Sequence, residues 1–248
     1  MVVEIENNRR TLLITGGASG IGYAVLRRFA SEGWNVLCHY HSSEEQARKV
    51  QDEALSLGVE CKLIQADLST EEGINRLVGS IQNQSVDSLV NNAASYVVQK
   101  HFSKIKVADF SQSLLLNLAA PFLLSSALFP AMCSRGFGRI VNISSIAAKY
   151  GGSPFSMHYG CFKRGLEGIT LTLAREGAAQ GVLINTIRPG VIDTSFHKKH
   201  PKDMQTRLDL IPIKRMGTTK DVADMVYYLG SAVNTYITGQ TVAISGGE

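Results

Sequence analysis

The sequence lacks the features that would indicate a secreted, zinc-binding or disulfide-linked chain. Its 248 residues include only four cysteines, six prolines and one tryptophan. Cys38, Cys61, Cys133 and Cys161 are widely scattered, with no CxxC pair and no His/Cys ligand spacing, so we predict no metal site and no disulfide framework. The acidic start differs from the basic start of a signal peptide. We therefore expect a reducing, cytoplasmic location.

Strong charge and long apolar runs are also missing. The net charge is only +4, and no dense run of lysine or arginine predicts a nucleic-acid surface. No uninterrupted apolar run approaches the roughly 20 residues that span a bilayer, so we expect no membrane partner. With 44% hydrophobic and 19% charged residues, the composition instead favours a globular chain with a sizeable core.

Short apolar runs alternate with amphipathic stretches along the whole chain. Buried strands are predicted at residues 11–15, 35–40, 59–66, 86–91, 139–143, 183–188 and 241–244. Helices are predicted at 20–30, 44–57, from a capping sequence at 69–72, at 106–134 with a break at Pro121, at 159–179, and at 218–229. This alternation predicts an α/β fold, a Rossmann-type doubly wound parallel sheet of about seven strands with helices on both faces. We expect one domain over 1–248.

A glycine-rich turn lies between the first predicted strand and the first helix. Glycines spaced in this way allow a tight turn and a close approach of the backbone to a pyrophosphate, whose charge a helix N-terminus favours. A flexible turn is the alternative interpretation. The candidate cofactor-binding residues of this turn are Gly16, Ser19, Gly20, Ile21 and Gly22.

The end of the second strand indicates which dinucleotide is used. A carboxylate there would bind a ribose 2′-hydroxyl and repel a 2′-phosphate. Tyr40, His41 and Ser42 offer hydroxyl and imidazole groups instead, so NADP is favoured over NAD, although the usual Arg or Lys is missing. After the third strand, Asp67, followed by Leu68, is predicted either to bind the adenine amine or to cap the next helix.

Three further strand or helix segments carry polar or small residues at candidate sites. Asn92, Ala93 and Ala94 end the fourth strand, where small side chains let the backbone pass close to a planar ligand. Ser145 follows the fifth strand, where its hydroxyl would orient a substrate carbonyl. Asn117 is a polar residue in an apolar helix, and it is either a kink residue or a ligand of a water in a proton path.

Tyr159 and Lys163 are four residues apart on a predicted helix and therefore share a face. A fixed positive charge beside a phenol favours the phenolate and lowers the pKa of the tyrosine. That change would make the phenol a usable proton donor and acceptor near neutral pH. Taken alone, the pair is equally typical of an ordinary aromatic–cation contact on a solvated helix face.

Together these residues resemble the short-chain dehydrogenase/reductase family over almost the whole chain. The resemblance implies a catalytic tetrad of Asn117, Ser145, Tyr159 and Lys163, with Ser144 as an alternative to Ser145. In this tetrad Lys163 also holds the nicotinamide ribose. It also implies a homotetramer packed through residues 106–134 and the Tyr159 helix. The implied nicotinamide-side residues are Pro189, Gly190, Val191 and Thr194.

The implied activity is hydride transfer between a nicotinamide cofactor and a carbonyl or alcohol, with Tyr159 as general acid/base. Within the family the pattern is most similar to 3-oxoacyl-(acyl-carrier-protein) reductases, for whose acidic carrier Arg135, Lys198 and Lys199 are candidate contacts. A pteridine reductase, similar at residues 38–43 and 65–69, is the alternative, and a catalytically silent nucleotide-sensing scaffold is a third. Substrate choice is assigned to a lid at about 190–212.

Overall fold

The computed structural model describes residues 9–195 and 204–248 of the chain. In this part of the chain the strands form one parallel sheet. They are β1 (Thr11–Ile14), β2 (Asn35–Tyr40), β3 (Cys61–Gln65), β4 (Ser88–Asn91), β5 (Gly138–Ile143), β6 (Val182–Pro189) and β7 (Thr241–Ile244). Their order across the sheet is β3-β2-β1-β4-β5-β6-β7.

The chain starts in the middle of the sheet and runs outward in both directions. It adds β2 and β3 on one side of β1, then returns to place β4 on the other side, with Leu13 paired to both Leu37 and Leu89. The connections on the two sides of this switch point diverge, which leaves a crevice at the carboxyl ends of β1 and β4. Open α/β sheets bind ligands in such a crevice.

Helices connect the strands and cover both faces. They are α1 (Gly20–Ala30), α2 (Glu44–Ser56), α3 (Glu71–Ile81), α4 (Val107–Leu114), α5 (Ala120–Ser134), α6 (Ala147–Tyr150), α7 (Met157–Gly177), α8 (Met204–Leu210) and α9 (Thr219–Gly230). Short 3-10 turns lie at Phe102–Lys104 and Ala178–Gln180, and a π-helical turn, Leu115–Ala119, joins α4 to α5.

Two apolar cores lie on opposite faces of the sheet because side chains alternate along each strand. Leu12 and Ile14 pack with α1, α2 and α9 in one core, whereas Leu13 packs with α3, α5 and α7 in the other. The strands that carry these residues are apolar on both faces, as expected for a parallel sheet covered by helices on both sides. The predicted fold class is confirmed.

Two predicted elements differ in detail. The helix predicted over 106–134 is broken, but by the π-helical turn that precedes Pro121, where Ala120 N–H bonds to Leu115 O. Pro121 cannot supply the N–H that would bond to the carbonyl of Asn117 four residues earlier. The polar segment at 190–212 contains a helix, α8, and its residues 196–203 lie outside the described part of the chain.

Residues Val107–Ser134 are long and apolar enough to cross a membrane by length and composition alone. In the fold, however, α5 is a core helix. Ala120, Leu124, Leu128 and Met132 are buried against the sheet. Packing on the sheet therefore explains part of the apolar content of this region, while Phe122 and Leu123 remain exposed on the other side.

Two glycines of α3 provide a matched test of the packing between β3 and α3. A Cβ at Gly73 would lie 1.9 Å from the carbonyl oxygen of Asp67, whereas a Cβ at Gly79 meets nothing within 4 Å. We predict that Gly73→Ala lowers the free energy of unfolding by about 1–3 kcal/mol, because the backbone must move. Gly79→Ala should raise it by about 0.5–1 kcal/mol, because alanine favours helix. Denaturant titration measures both, and equal effects would contradict the packing described.

Candidate active site

A cavity of about 910 Å³ opens at the carboxyl ends of the strands. Most of the residues predicted from the sequence line it. They are Gly16, Ser19, Gly20, Ile21, Tyr40, His41, Ser42, Asp67, Leu68, Asn92, Ala93, Ala94, Ser145, Tyr159, Pro189, Gly190, Val191 and Thr194. Gly22, Asn117 and Lys163 lie behind the lining. Thus one cavity contains both the glycine-rich turn and the tyrosine.

The glycine-rich turn is fixed to the end of β4 by a compact set of hydrogen bonds. Thr15 Oγ1 accepts from the backbone N–H groups of Asn92 at 2.9 Å and Ala93 at 3.0 Å. In return, the Asn92 amide donates to the carbonyls of Thr15 at 2.9 Å and Gly16 at 3.1 Å. Asn92 therefore acts from its side chain as well as its backbone, and it sets the spacing of the two walls of the crevice.

The turn has the shape that a dinucleotide pyrophosphate requires. Gly16 has a φ of 65°, and a Cβ at Gly22 would lie 2.1 Å from the carbonyl oxygen of Gly16, so glycine is needed at both positions. The first turn of α1 contains no acidic residue, and its N-cap, Ser19, makes no side-chain capping bond. The N-terminus of α1 thus faces the cavity with uncompensated N–H groups, which fits an anionic group.

The end of the cavity at β2 and β3 is lined by His41 and Asp67. Nε2 of His41 lies 3.6 Å from Oδ2 of Asp67, and Oδ1 of Asp67 accepts from the N–H and hydroxyl of Ser69. Burial would raise the pKa of Asp67, but these bonds and the nearby imidazoles lower it overall. The capping interpretation of Asp67 is wrong, because Thr70 accepts from Gly73 N–H and caps α3.

Tyr159 lies on the first turn of α7, near Ser145, and both residues line the cavity. Its ring also packs edge-on against Tyr96, with a centroid distance of 4.9 Å. Burial raises the pKa of Tyr159, Tyr96 raises it further, and Ser145 acts in the opposite direction. The pKa is thus shifted upward in this structure, and not downward as the Tyr–Lys spacing predicts, because burial is the largest cause of the shift.

Lys163 is completely enclosed one turn further along α7. Its Nζ donates to the carbonyl of Ile143 at 2.8 Å and lies 5.6 Å from the centroid of the Tyr159 ring. Burial lowers the pKa of Lys163 to about 7, so the amine is partly neutral near neutral pH. The weakened charge explains why the lysine does not dominate the pKa of Tyr159.

Ser144 and Ser145 are adjacent in sequence but have different surroundings. Ser144 contributes to the cavity lining, but its hydroxyl is buried and donates to Glu167 Oε1 at 2.9 Å. Glu167 in turn accepts from Arg188 at 2.8 and 2.9 Å. Burial would raise the pKa of Glu167, but the bonds from Arg188 and Ser144 lower it overall. This ionic network joins β5, β6 and α7 behind the site and occupies Ser144.

Asn117 lies in the π-helical turn and is fully buried. Its amide nitrogen donates to the carbonyls of Ser95 and Ser113, each at 2.9 Å, so it ties the helical region to the loop after β4. Its amide oxygen is buried without a hydrogen-bond partner. Both the kink and the polar role suggested by the sequence are thus compatible with its position, and the unpaired oxygen remains available to a polar ligand.

Some lining residues were not singled out from the sequence. His39 occupies the end of β2, while Arg207 on α8 and Glu248 form an ion pair of 2.5 Å in the cavity wall. No local sequence pattern indicates that these residues line a site. His39 lies within an apolar run, and Arg207 and Glu248 are 41 positions apart. Conversely, Arg135 does not line the cavity. Its guanidinium bonds to the carbonyl of Val86, which precedes β4 and lies at the amino ends of the strands. Lys198 and Lys199 lie outside the described residues.

The phosphate-binding turn and the Ser–Tyr pair in one cavity define a Rossmann-type oxidoreductase dependent on a dinucleotide. A family model described as enoyl-(acyl carrier protein) reductase matches residues 16–248. The chain therefore belongs to the short-chain dehydrogenase/reductase family, whose members interconvert ketones and secondary alcohols with NAD(P)(H).

Relatives match over nearly their whole lengths. A 3-oxoacyl-(acyl-carrier-protein) reductase of Staphylococcus epidermidis is 33% identical over 96% of this chain and 98% of its own. An acetoacetyl-CoA reductase of Allochromatium vinosum is also 33% identical, over 96% and 98%. Among solved structures, a 3-oxoacyl (acyl-carrier-protein) reductase of Agrobacterium tumefaciens with NADP bound has a TM-score of 0.87 at 26% identity, covering 96% and 94% of the two chains.

The two neighbouring serines provide a matched test of the site. We predict that Ser145→Ala lowers turnover by at least about 100-fold with little change in stability, because it removes a donor to the reacting oxygen. Ser144→Ala should lower the free energy of unfolding by about 1–2 kcal/mol and leave most of the turnover. Steady-state kinetics and denaturant unfolding of both variants measure the contrast. A larger loss of turnover in Ser144→Ala would reverse the assignment.

Proposed function

We propose that this protein reduces a 3-oxoacyl thioester to the 3-hydroxyacyl thioester with NADPH as the hydride donor. The observation that carries the proposal is that Ser145 and Tyr159 line the wall of the same cavity as the glycine-rich turn. The relatives support the substrate class, because the matched Staphylococcus and Allochromatium proteins are named for 3-oxoacyl and acetoacetyl thioesters. The acyl group would be carried by acyl carrier protein or coenzyme A.

The roles follow from the chemistry of each side chain. A bound nicotinamide dinucleotide would supply the hydride to the carbonyl carbon. Ser145 donates a hydrogen bond to the carbonyl oxygen, which orients the substrate and stabilises the developing negative charge. Tyr159 donates its proton to that oxygen, and its raised pKa keeps the proton on the phenol until the oxygen becomes basic.

Lys163 and Asn117 act behind this pair. Lys163 is held at the carbonyl of Ile143, next to the Tyr159 ring, where we assign it to the nicotinamide ribose and to proton supply toward the phenol. The buried, unpaired amide oxygen of Asn117 is a suitable acceptor for a water in the same proton path. Pro189, Gly190, Val191 and Thr194 would line the nicotinamide side of the cavity.

The surroundings of the β2 end support NADP over NAD. His41 is largely exposed beside the cavity, and Ser42 follows it, so an imidazole and a hydroxyl face the position of a ribose 2′-phosphate. No residue of the Tyr40–Ser42 segment carries a carboxylate that would bind a 2′-hydroxyl. The matched Agrobacterium reductase also has NADP bound.

The cofactor assignment is tested by parallel titration of NADPH and NADH, followed by nucleotide fluorescence. We expect the wild-type protein to bind NADPH about 10-fold or more tightly, since charge-assisted contacts to the phosphate are worth about 1.5–3 kcal/mol. His41→Asp should reverse this preference, because a carboxylate repels the phosphate and accepts from a 2′-hydroxyl. Tighter binding of NADH by the wild-type protein would overturn the assignment.

The reaction is tested by NADPH consumption with acetoacetyl-CoA and with acetoacetyl-acyl carrier protein. We predict that Tyr159→Phe lowers turnover by at least about 1,000-fold, because it removes the proposed proton donor to the carbonyl oxygen. Its affinity for NADPH should stay within a few-fold of wild type.

Dihydropterin serves as the substrate control for this experiment. Turnover of dihydropterin in preference to both thioesters would replace the proposed substrate class. Full activity of Tyr159→Phe would contradict the proposed mechanism.

Assembly and location are part of the same proposal. The exposed faces of α4, α5 and α7 carry large apolar side chains, among them Val107, Phe110, Phe122, Leu123 and Leu171. These faces support a homotetramer packed through the two helical regions.

All four cysteines are unpaired, which agrees with a reducing cytoplasm. We also propose a single domain, with the segment at 190–212 acting as the substrate lid.

A further inference from the structure

His39 lies at the end of β2, and both nitrogens of its ring are engaged by backbone groups. The side chain is only 2% exposed. The N–H of Gly16 donates to Nδ1 at 3.1 Å, and Nε2 lies 3.0 Å from the carbonyl oxygen of Ala66. A peptide N–H can only donate and a carbonyl can only accept, so the ring must be neutral with its proton on Nε2. His39 therefore connects the ends of β1, β2 and β3.

The partner of Nδ1 is the glycine whose orientation shapes the phosphate-binding turn. Gly16 has a positive φ, and its carbonyl is bonded to Asn92 and lies directly over Gly22. On the opposite side, its N–H is held only by the imidazole, while Gly17 N–H bonds to the carbonyl of His39 at 2.9 Å. His39 and Asn92 thus hold the peptide planes around Gly16 from two sides.

A residue without an acceptor at this position would leave the Gly16 N–H unpaired in a poorly hydrated place. An unpaired buried N–H costs about 1–3 kcal/mol, so the peptide would turn to find another partner. That N–H shares its peptide plane with the carbonyl of Thr15, so a rotation moves the Thr15 carbonyl away from the Asn92 amide and changes the φ of Gly16. The N-terminus of α1 follows directly after these residues, so its N–H groups would move as well.

We propose that His39 is a positioning residue for the dinucleotide, holding the phosphate-binding turn in its binding geometry through the Gly16 N–H bond to Nδ1. The inference rests on the proposed use of a nicotinamide dinucleotide. It assigns to β2 a second role beside the choice between NADP and NAD. His39 acts through Gly16 and does not take part in proton transfer to the substrate.

Protonation of His39 would break the same contact. A charged ring carries a proton on both nitrogens, so Nδ1–H would face the Gly16 N–H. Burial lowers the pKa of His39 to about 4, and His41 lowers it too, while the bond to Ala66 and the charge of Asp67 act in the opposite direction. On the side of the glycine-rich turn, the ring is bonded to the uncharged backbone N–H of Gly16. The turn therefore keeps its geometry at neutral pH and loses it as the pH falls through about 4.

Three substitutions separate the acceptor at Nδ1 from the remainder of the side chain. In His39→Asn, the amide oxygen is the same number of bonds from the backbone as Nδ1, so it can accept from Gly16. His39→Gln extends to the position of Nε2 and can bond only toward Ala66, while His39→Leu fills the space without polar atoms. His101→Asn, at a histidine outside the cavity lining, is the matched control.

The measurement is the affinity for NADP⁺ by calorimetry, with the KM for NADPH and kcat alongside. We expect a loss of about 10-fold in affinity for His39→Gln and His39→Leu, and a value within about 3-fold of wild type for His39→Asn and His101→Asn. The KM for NADPH should rise while kcat changes little. Between neutral pH and about pH 4, the affinity of the wild-type protein should fall more steeply than that of His39→Asn.

The outcomes are distinct. If His39→Leu fails to fold, the difference in NADP⁺ affinity between His39→Asn and His39→Gln still tests the role of the Nδ1 contact. Equal affinities for Asn and Gln, or an equal slope with pH for wild type and His39→Asn, would overturn the role of the Nδ1 contact. A wild-type protein that binds neither NADP⁺ nor NAD⁺ would instead show that the proposed function has failed.

Discussion

The site depends on the hydrogen bonds that join the ends of β1 and β4. Two bonds join Thr15 to Asn92 across the switch point of the sheet, although the two residues are 77 positions apart in sequence. Two more join Asn92 to Gly16 and Ala93 to Thr15. These bonds set the width of the crevice and the orientation of Gly16. The turn, the N-terminus of α1 and the cavity wall after β4 are all positioned relative to them. Because the Thr15 hydroxyl and the Asn92 amide nitrogen each bond to two backbone groups, the geometry is held from both strands.

The fold was predictable because its signals are local. Runs such as Leu12–Ile14 are apolar on consecutive residues, which a strand covered on both faces requires. The predicted elements differ from the structure where the interaction that sets their limits is distant in sequence or leaves only a weak pattern. The break before Pro121 falls at Leu115–Ala119, because the missing N–H of the proline acts on the residues before it. The helix Met204–Leu210 escaped notice because it is short and its apolar pattern is weak.

The site was predictable as a set of residues, but not in its electrostatics or in the direction of each side chain. Spacing places Tyr159 and Lys163 on one face, yet only packing shows that both are enclosed, so that burial determines both pKa values. Likewise, Ser144 and Ser145 are chemically identical. Their separation depends on Glu167 and Arg188, which approach from α7 and β6. The sequence does not reveal the hydrogen bonds of His39, because both of its partners are backbone atoms.

The wide turn between α4 and α5 has a consequence for how this chain can change. A π-helical turn holds one residue more than the α-helix on either side, so it offsets the angular register of the two helices by about 100°. That offset lets Asn117 point toward the loop after β4 while Leu124 and Leu128 point into the core. Deleting one residue here would leave a regular helix but rotate one of these faces into the wrong environment. The segment therefore tolerates substitution far better than a change in length.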